Sequence, residues 1–377
     1  MSGDHPEGAA GCLLLQALCA PQSLATLTAA QWTTLVQQAL GSGLLGRLAG
    51  RLQGLASPMP VPSGMAGHLA AALRVGRAQQ LQIEREARFI DHALADLGAP
   101  VLLLKGVAYV LAGLPAAQGR VFSDIDILVP KSHLARAESL LTIHGWMGTE
   151  ASAYNQRDYR QWMHELPPMQ HLQRGTVLDL HHNIQPETAR LRPDPALLTA
   201  AARPLAGSRL LHTLAPLDMV LHGMTHLFMN DDMGSALRDL SDLDILLRHF
   251  GAEPGFWPAL VPRAAALDLG RPLFYALRQV QRSWGTPVPP GLAQPMAQQA
   301  PPRALLALMD AIWSRVFLPP QGLPANTGRQ AALAALLVRG HWLRMPPWML
   351  AQHLTVKALG LHKPRVAPSS PVAGRAG

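Results

Sequence analysis

The sequence predicts an α+β fold: a small mixed-sheet core flanked by N- and C-terminal helical segments. Three observations carry that prediction. Apolar residues recur at helical spacing over long stretches on both sides of a short central region. That region holds brief β-prone runs bounded by breakers: Val101–Leu104, Arg120–Val129 and Thr176–His181. Two of these runs carry aspartates among apolar neighbours, where a carboxylate is costly unless something positive faces it.

The elements follow in order. Cys12–Ala20 is a short apolar stripe after Asp4 and Glu7, without the basic start of a signal peptide. Its two cysteines, Cys12 and Cys19, read as core residues of a reducing compartment rather than a disulfide. Residues 28–53 read as amphipathic helix, capped by Thr28 and interrupted at Gly41 and Gly43. A Pro/Ser/Gly loop over 55–64 leads into a long helix over 67–97, ended by Gly98-Ala99-Pro100. Val101–Leu104 is a buried strand, Lys105-Gly106 ends it, and Val107–Gly113 is a short helix. Arg120–Val129 is the second strand, closed by Pro130, and Ser132–Gly145 is a helix. Val177–His181 is a further strand. Helices resume at Leu217–Met229, Ser235–Phe250, Phe256–Leu267, Pro272–Ser283, 303–317 and 329–358. The chain thus divides into an N-terminal helical segment (1–98), an α/β core (99–185), a second helical segment (186–286), a Pro-rich linker with basic C-terminal helices (287–362) and a disordered tail (363–377).

With 377 residues, 49% of them apolar, the chain is large enough for a sizeable core. No run approaches the ~18 uninterrupted apolar residues of a membrane span, and the protein reads as soluble and cytoplasmic. The net charge of +8 is uneven: no acidic residue follows Asp310, whereas residues 1–310 balance at 24 basic against 24 acidic. A nucleic-acid or surface partner would therefore have to rest on the basic C-terminal tail.

Asp124 and Asp126 lie two apart in the second strand, so they project to one face while Ile125, Ile127 and Val129 fill the other. Two adjacent carboxylates repel unless a positive group lies between them; a divalent cation is the simplest such group. Asp179 sits in a similar apolar setting, and pairing of its strand beside the first would bring three carboxylates to one face. Three carboxylates holding two divalent ions suit transfer at phosphorus, and the all-oxygen ligand set favours Mg2+. Lys105-Gly106 marks a strand-to-helix turn, where helix N–H groups and a compact point charge would meet a triphosphate. Lys105 is one of only four lysines in this arginine-preferring chain. Arg120 is a second candidate phosphate clamp. His181 alternates onto the face of Asp179.

These residues carry a family resemblance. Over about residues 30–285 the chain resembles the polymerase-β-like nucleotidyltransferases, specifically the branch known as an uncharacterised nucleotidyltransferase family. The matching motifs are Gln31-Trp32-Thr33-Thr34-Leu35, Leu103-Leu104-Lys105-Gly106, Arg120…Asp124-Ile125-Asp126-Ile127-Leu128-Val129, His144-Gly145-Trp146 and Leu178-Asp179-Leu180-His181. Leu217-Asp218-Met219, His222, His226 and Leu237-Arg238-Asp239-Leu240-Ser241-Asp242-Leu243 complete them. The resemblance implies metal-dependent transfer of a nucleoside monophosphate from a nucleoside triphosphate (NTP, ATP for example) to an acceptor, with pyrophosphate leaving. It implies that Asp124 and Asp126 hold two Mg2+ ions, that Asp179 binds the second and accepts the acceptor's proton, and that Gly106 and its helix hold the triphosphate. It makes 186–286 the acceptor side, the acceptor being a small molecule, peptide, protein or RNA end. One departure stands out: the superfamily carries Gly-Ser at the first turn, where this chain has Lys105-Gly106-Val107 and no serine.

Other readings rank lower. A metal-dependent glycosyltransferase also uses Asp-x-Asp, but half of a nucleotide-binding α/β domain usually precedes it, and here only one strand–helix unit does. A non-catalytic nucleotide-binding module is weighed against by the intact Asp124, Asp126 and Asp179. His222 and His226 have metal-ligand spacing on one helical face but no obvious third ligand, and read as structural. Asp239, Asp242 and Asp244 read as a solvated or interface face, with a reach of Asp242 into the cleft as the lesser alternative. His164-Glu165 sits in a loop before Leu166-Pro167-Pro168, with an acceptor-side contact as its lesser reading and its role left open. Arg339–Leu350 mixes Trp, Met and Arg, and reads as a packed helix with a basic outer face rather than a membrane or RNA contact.

Overall fold

A computed structural model describes residues 12–57, 59–150, 159–229, 233–321 and 328–358 of the chain. The N-terminal segment forms α1 (Leu13–Cys19), α2 (Ala29–Gly41), α3 (Leu45–Gln53) and α4 (Ser63–Ala93). Thr28 starts α2 through a capping box: its hydroxyl accepts from the Gln31 backbone N–H, and the Gln31 side-chain Oε1 accepts from the Thr28 N–H. Both bonds satisfy donors that a helix start leaves open. Along α4, Ile83, Ala87 and Ile90 share one buried stripe, the spacing that turns a helix face inward. Cys12 and Cys19 are free thiols.

The central region forms β1 (Val101–Leu103), α5 (Lys105–Leu111), β2 (Ile125–Leu128), α6 (Leu134–Ile143), β3 (Trp146–Gly148), β4 (Met169–His171) and β5 (Val177–His181). After α7 (Pro195–Ala201) come β6 (Arg203–Pro204) and β7 (Leu211–Thr213). The sheet is mixed and has seven strands in the order β3-β4-β5-β2-β1-β7-β6. β2 runs parallel to β5 and β1 parallel to β7; the other pairs are antiparallel.

The sheet is wider than the three strands read from the sequence, and it extends past residue 185 to Thr213. β3, β4, β6 and β7 have two or three residues each, too few for an alternation to register. The second strand is also shorter than expected, beginning at Ile125 rather than Arg120. The Arg120 side chain is drawn away into a buried ion pair, and Ser123 is exposed. Asp124 therefore stands just ahead of the strand, not within it.

The remaining helices are α8 (Pro216–Met229), α9 (Ala236–Phe250), α10 (Phe256–Ala266), α11 (Gly270–Trp284), α12 (Arg303–Val316), α13 (Arg329–Arg344) and α14 (Pro347–Ala358). The Pro-rich stretch before α12 holds two brief helical turns, Pro290–Leu292 and Ala293–Ala297. Met345-Pro346 divides the helical stretch 329–358 into α13 and α14, since proline cannot continue a helix interior. One continuous apolar core runs from Leu14 and Trp32 through Leu103, Ile127 and Leu180 of the sheet to Trp313 and Leu336. The tail expected to be disordered lies outside the described residues. Among the described residues no helix is long and apolar enough to cross a membrane.

Candidate active site

The sheet centre decides which acids meet. Parallel pairing of β2 with β5 sets Asp126 directly beside Asp179, Ile125 beside Leu178 and Leu128 beside His181. Neighbouring strands lie about 4.8 Å apart, and in-register residues share a face. Ile127, Leu178 and Leu180 point the other way into the core, which leaves Asp126, Asp179 and His181 on the opposite face. Asp124, half-buried, reaches the strand's entrance, where its carboxylate accepts from the Ser123 hydroxyl at 2.9 Å. Asp126 and Asp179 share a sheet face with Asp124 at its entrance, but the three form no tight cage, since their oxygens do not all come within 4.8 Å of one another.

Asp126 Oδ1 accepts from Lys105 Nζ at 3.0 Å and faces His181 Nε2 at 3.1 Å. Burial alone would raise the Asp126 carboxyl, but Lys105 and His181 outweigh it and hold it well below the usual carboxylate range. Lys105 is in turn pushed above its ordinary value: burial disfavours the ammonium, but Asp126, Asp124 and Glu165 together prevail. Asp179 has no such support. Its Oδ1 is buried without a hydrogen-bond partner among the described residues. Burial, then the charges of Asp126 and Glu165, push its carboxyl up to about 7. A buried carboxylate oxygen without a donor is rare in folded proteins. A hard cation facing it would remove both the orphan and the repulsion. The donor set therefore fits Mg2+.

Lys105 occupies the first residue of α5 with φ of 47°, a left-handed conformation that costs a residue with a Cβ about 1–2 kcal/mol. Gly106 follows, and its lack of a side chain has a packing cause. A Cβ there would lie 2.3 Å from Arg120 Nη1 and 2.7 Å from the Phe122 ring.

Arg120, read from the sequence as a phosphate clamp, is buried behind this turn. Its Nε donates to Asp242 Oδ2 at 2.9 Å, and its guanidinium lies over the Phe122 ring at 5.1 Å. Arg47 of α3 takes the other oxygen of Asp242 at 2.7 Å and also donates to Ser241 and to the Ala116 carbonyl. Asp242 is therefore an internal anion between two arginines and does not reach a cleft. The expected solvated face of Asp239, Asp242 and Asp244 is buried throughout. Arginines cause this: Asp239 meets Arg238 at 3.1 Å, and Asp244 accepts from Arg248 and Thr286.

Two further groups approach the acids. Glu165 forms a bridge with His181, and its Oε2 lies 3.2 Å from His181 Nδ1. His164 stands beside it, its ring centroid 5.4 Å from that of His181. The sequence showed these two only as a loop pair; the signal available was the Leu166-Pro167-Pro168 that follows, which holds extended backbone. On α8, His222 and His226 are kept neutral, held well below the ordinary histidine value by burial and next by the Lys105 charge. Their spacing reflects a shared face turned toward Lys105, and His226 Nε2 lies 4.0 Å from Asp239.

No curated protein and no solved structure matches the chain. The family described as "Uncharacterised nucleotidyltransferase" matches residues 28–285, from the Thr28 cap to Gly285 after α11. That span takes in the seven-stranded sheet, the three aspartates and the helices that enclose them, and it exceeds half of the chain: this protein belongs to the uncharacterised nucleotidyltransferase family.

Proposed function

We propose that the chain transfers a nucleoside monophosphate from an NTP to an acceptor hydroxyl, phosphate or amine, releasing pyrophosphate. The observation that carries the reading is the register of Asp126 with Asp179, with Asp179 Oδ1 left orphaned. Asp124, Asp126 and Asp179 would hold two Mg2+ ions; their spread along one face, wider than one ion's shell, suits a pair. Bound Mg2+ would neutralise charge on the attacking and leaving oxygens.

The chain's own groups have distinct tasks. Lys105, tied to Asp126 before substrate arrives, turns its ammonium to the triphosphate, and the first N–H groups of α5 lie beside it. The strained φ of Lys105 fits a residue held for function. His181 orients the Asp126 carboxylate. Asp179 is the group to take the acceptor's proton. Arg120 acts from behind, fixing Gly106 and Phe122 rather than touching phosphate.

Asp126→Asn is expected to lower Mg2+-dependent pyrophosphate release from each NTP by a hundredfold or more, of the order that loss of a metal clamp implies. Unchanged release would remove the assignment. Mass spectrometry of candidate acceptors after incubation with each triphosphate identifies donor and acceptor together.

A further inference from the structure

We propose that His164, Glu165 and His181 form a second metal site, one for a borderline transition-metal dication such as Zn2+ and separate from the oxygen ligands of the aspartates. This inference does not depend on the transfer reaction. Among the described residues these three alone bring ligand-type atoms of three side chains within 4.8 Å of one another. Glu165 Oε2 lies 3.2 Å from His181 Nδ1 and 3.9 Å from His164 Nε2. Bonds of 2.0–2.2 Å in a tetrahedral shell place ligands roughly 3.3–3.5 Å apart. The two separations from Glu165 lie near that spacing. Two imidazoles with one carboxylate are a nitrogen-rich set that favours Zn2+ over Mg2+.

Three observations point the same way. First, His181 Nδ1, the nitrogen that faces Glu165, is buried and lacks a hydrogen-bond partner among the described residues. The Glu165 oxygen near His181 is at contact distance without hydrogen-bond geometry. Second, the far nitrogen of His181 faces Asp126 Oδ1 at 3.1 Å. A metal-bound histidine almost always gives its other nitrogen to such a carboxylate, which fixes its tautomer and orientation. Third, the frame is rigid. Leu166 N–H donates to Leu180 O at 2.9 Å and His182 N–H to His164 O at 2.8 Å, so His164 and Glu165 are laddered onto β5. The side chains of His164 and Glu165 keep 16% and 22% exposure, so a cation can enter and a fourth position stays open.

The competing occupant is a proton: a charged His181 between Asp126 and Glu165 would explain those two contacts but would leave His164 idle. The chain, without a histidine tag and stripped with chelator, is titrated with Co2+ in excess Mg2+, and visible d–d absorption is followed. One equivalent should bind with the bands of a nitrogen-containing ligand set, and Zn2+ should displace it. His164→Ala and the near-isosteric Glu165→Gln should each weaken binding at least about tenfold, and Asp126→Asn, which loosens His181, by about 10–100-fold. Asp124→Asn should leave the bands in place. Circular dichroism checks that each variant is folded, and Glu165→Gln carries the test if His164→Ala is not. Absence of the bands in the unaltered chain, or bands that persist in the folded cluster variants, would overturn the site. Bands lost in Asp124→Asn but kept in Glu165→Gln would place the cobalt on the aspartates instead. Pyrophosphate release plays no part in this readout, so failure of the transfer reading and failure of this site are separate outcomes.

Discussion

Asp126 and Asp179 are neighbours with opposite electrostatics. Asp126 has two positive partners; Asp179 has an orphaned oxygen and a carboxyl pushed up to about 7. An acid raised in the folded state never favours folding and opposes it once the unfolded chain ionises. Its effect is neutral below about pH 4, turns against folding as the unfolded chain ionises, and levels off above about pH 7. The shift corresponds to at most roughly 4 kcal/mol, less for the partial solvent access of this carboxyl. In metal-free protein, Asp179→Asn should therefore match the original chain near pH 4 and exceed its thermal stability increasingly up to pH 7. A difference that is constant across that range would show that Asp179 has a donor. Arg120 makes a second case at this scale. Arg120→Ala would leave Asp242 with one of its two cations in a buried setting, an expected loss of about 3–5 kcal/mol by urea unfolding. An arginine serving only a phosphate would lower nucleotide affinity and leave stability alone.

Elements reach the site by close backbone approach. α3 crosses the loop ahead of β2 where Gly46 meets Gly119. A Cβ on Gly119 would lie 2.3 Å from the Gly46 carbonyl carbon, and Gly119 has φ of +64°. Backbone cannot swing aside as the Arg120 side chain could for Gly106→Ala. Gly119→Ala should cost about 3 kcal/mol or more, through overpacking and a strained φ together. Gly106→Ala should cost about 1–3 kcal/mol and disturb the Lys105 turn directly. Parallel urea titrations that rank the two in the opposite order would contradict this account. The crossing matters because the loop after Gly119 delivers Arg120, Phe122 and Asp124 in sequence.

Across the whole molecule, the C-terminal helices belong to the same core as the sheet. Trp313 packs edge-on to Phe228 at 4.8 Å and stacks on Phe317 at 5.3 Å. Leu336 of α13 is buried, and Arg339 turns inward to donate to the Phe228 carbonyl at 2.7 Å. The outer face expected to be basic thus gives up one arginine to the interior. Arg190 N–H and the Thr188 hydroxyl bond to the carbonyls of Leu343 and Arg344 at 3.0 and 2.8 Å, fastening α13 near the end of β5. Deleting residues 328–377 should lower the melting temperature by several degrees or more, since 2–4 °C accompanies each kcal/mol in a chain of this size or somewhat smaller. An unchanged melting temperature would make these helices an appendage.

The long helices, the three central strands and the aspartates were legible because each is a local pattern: a period, a breaker or a carboxylate among apolar residues. Capping of α2 by Thr28 and the end of α4 before Pro100 were readable for the same reason. β3, β4, β6 and β7 were not: β6 and β7, for example, exist only through pairing, β7 with β1 and β6 with β7. Arg120 looked available for phosphate because the sequence does not display Asp242, which approaches it from α9. Glu165 and His164 join the acid face through pairing with β5, a contact without a local signature. By itself the sequence determined the α+β class and the family and singled out the aspartates as candidates, since spacing and side-chain chemistry carry that much. Only the tertiary structure decided their company: pairing register and burial set which charge faces which, leaving Asp126 answered by two partners and Asp179 waiting for one.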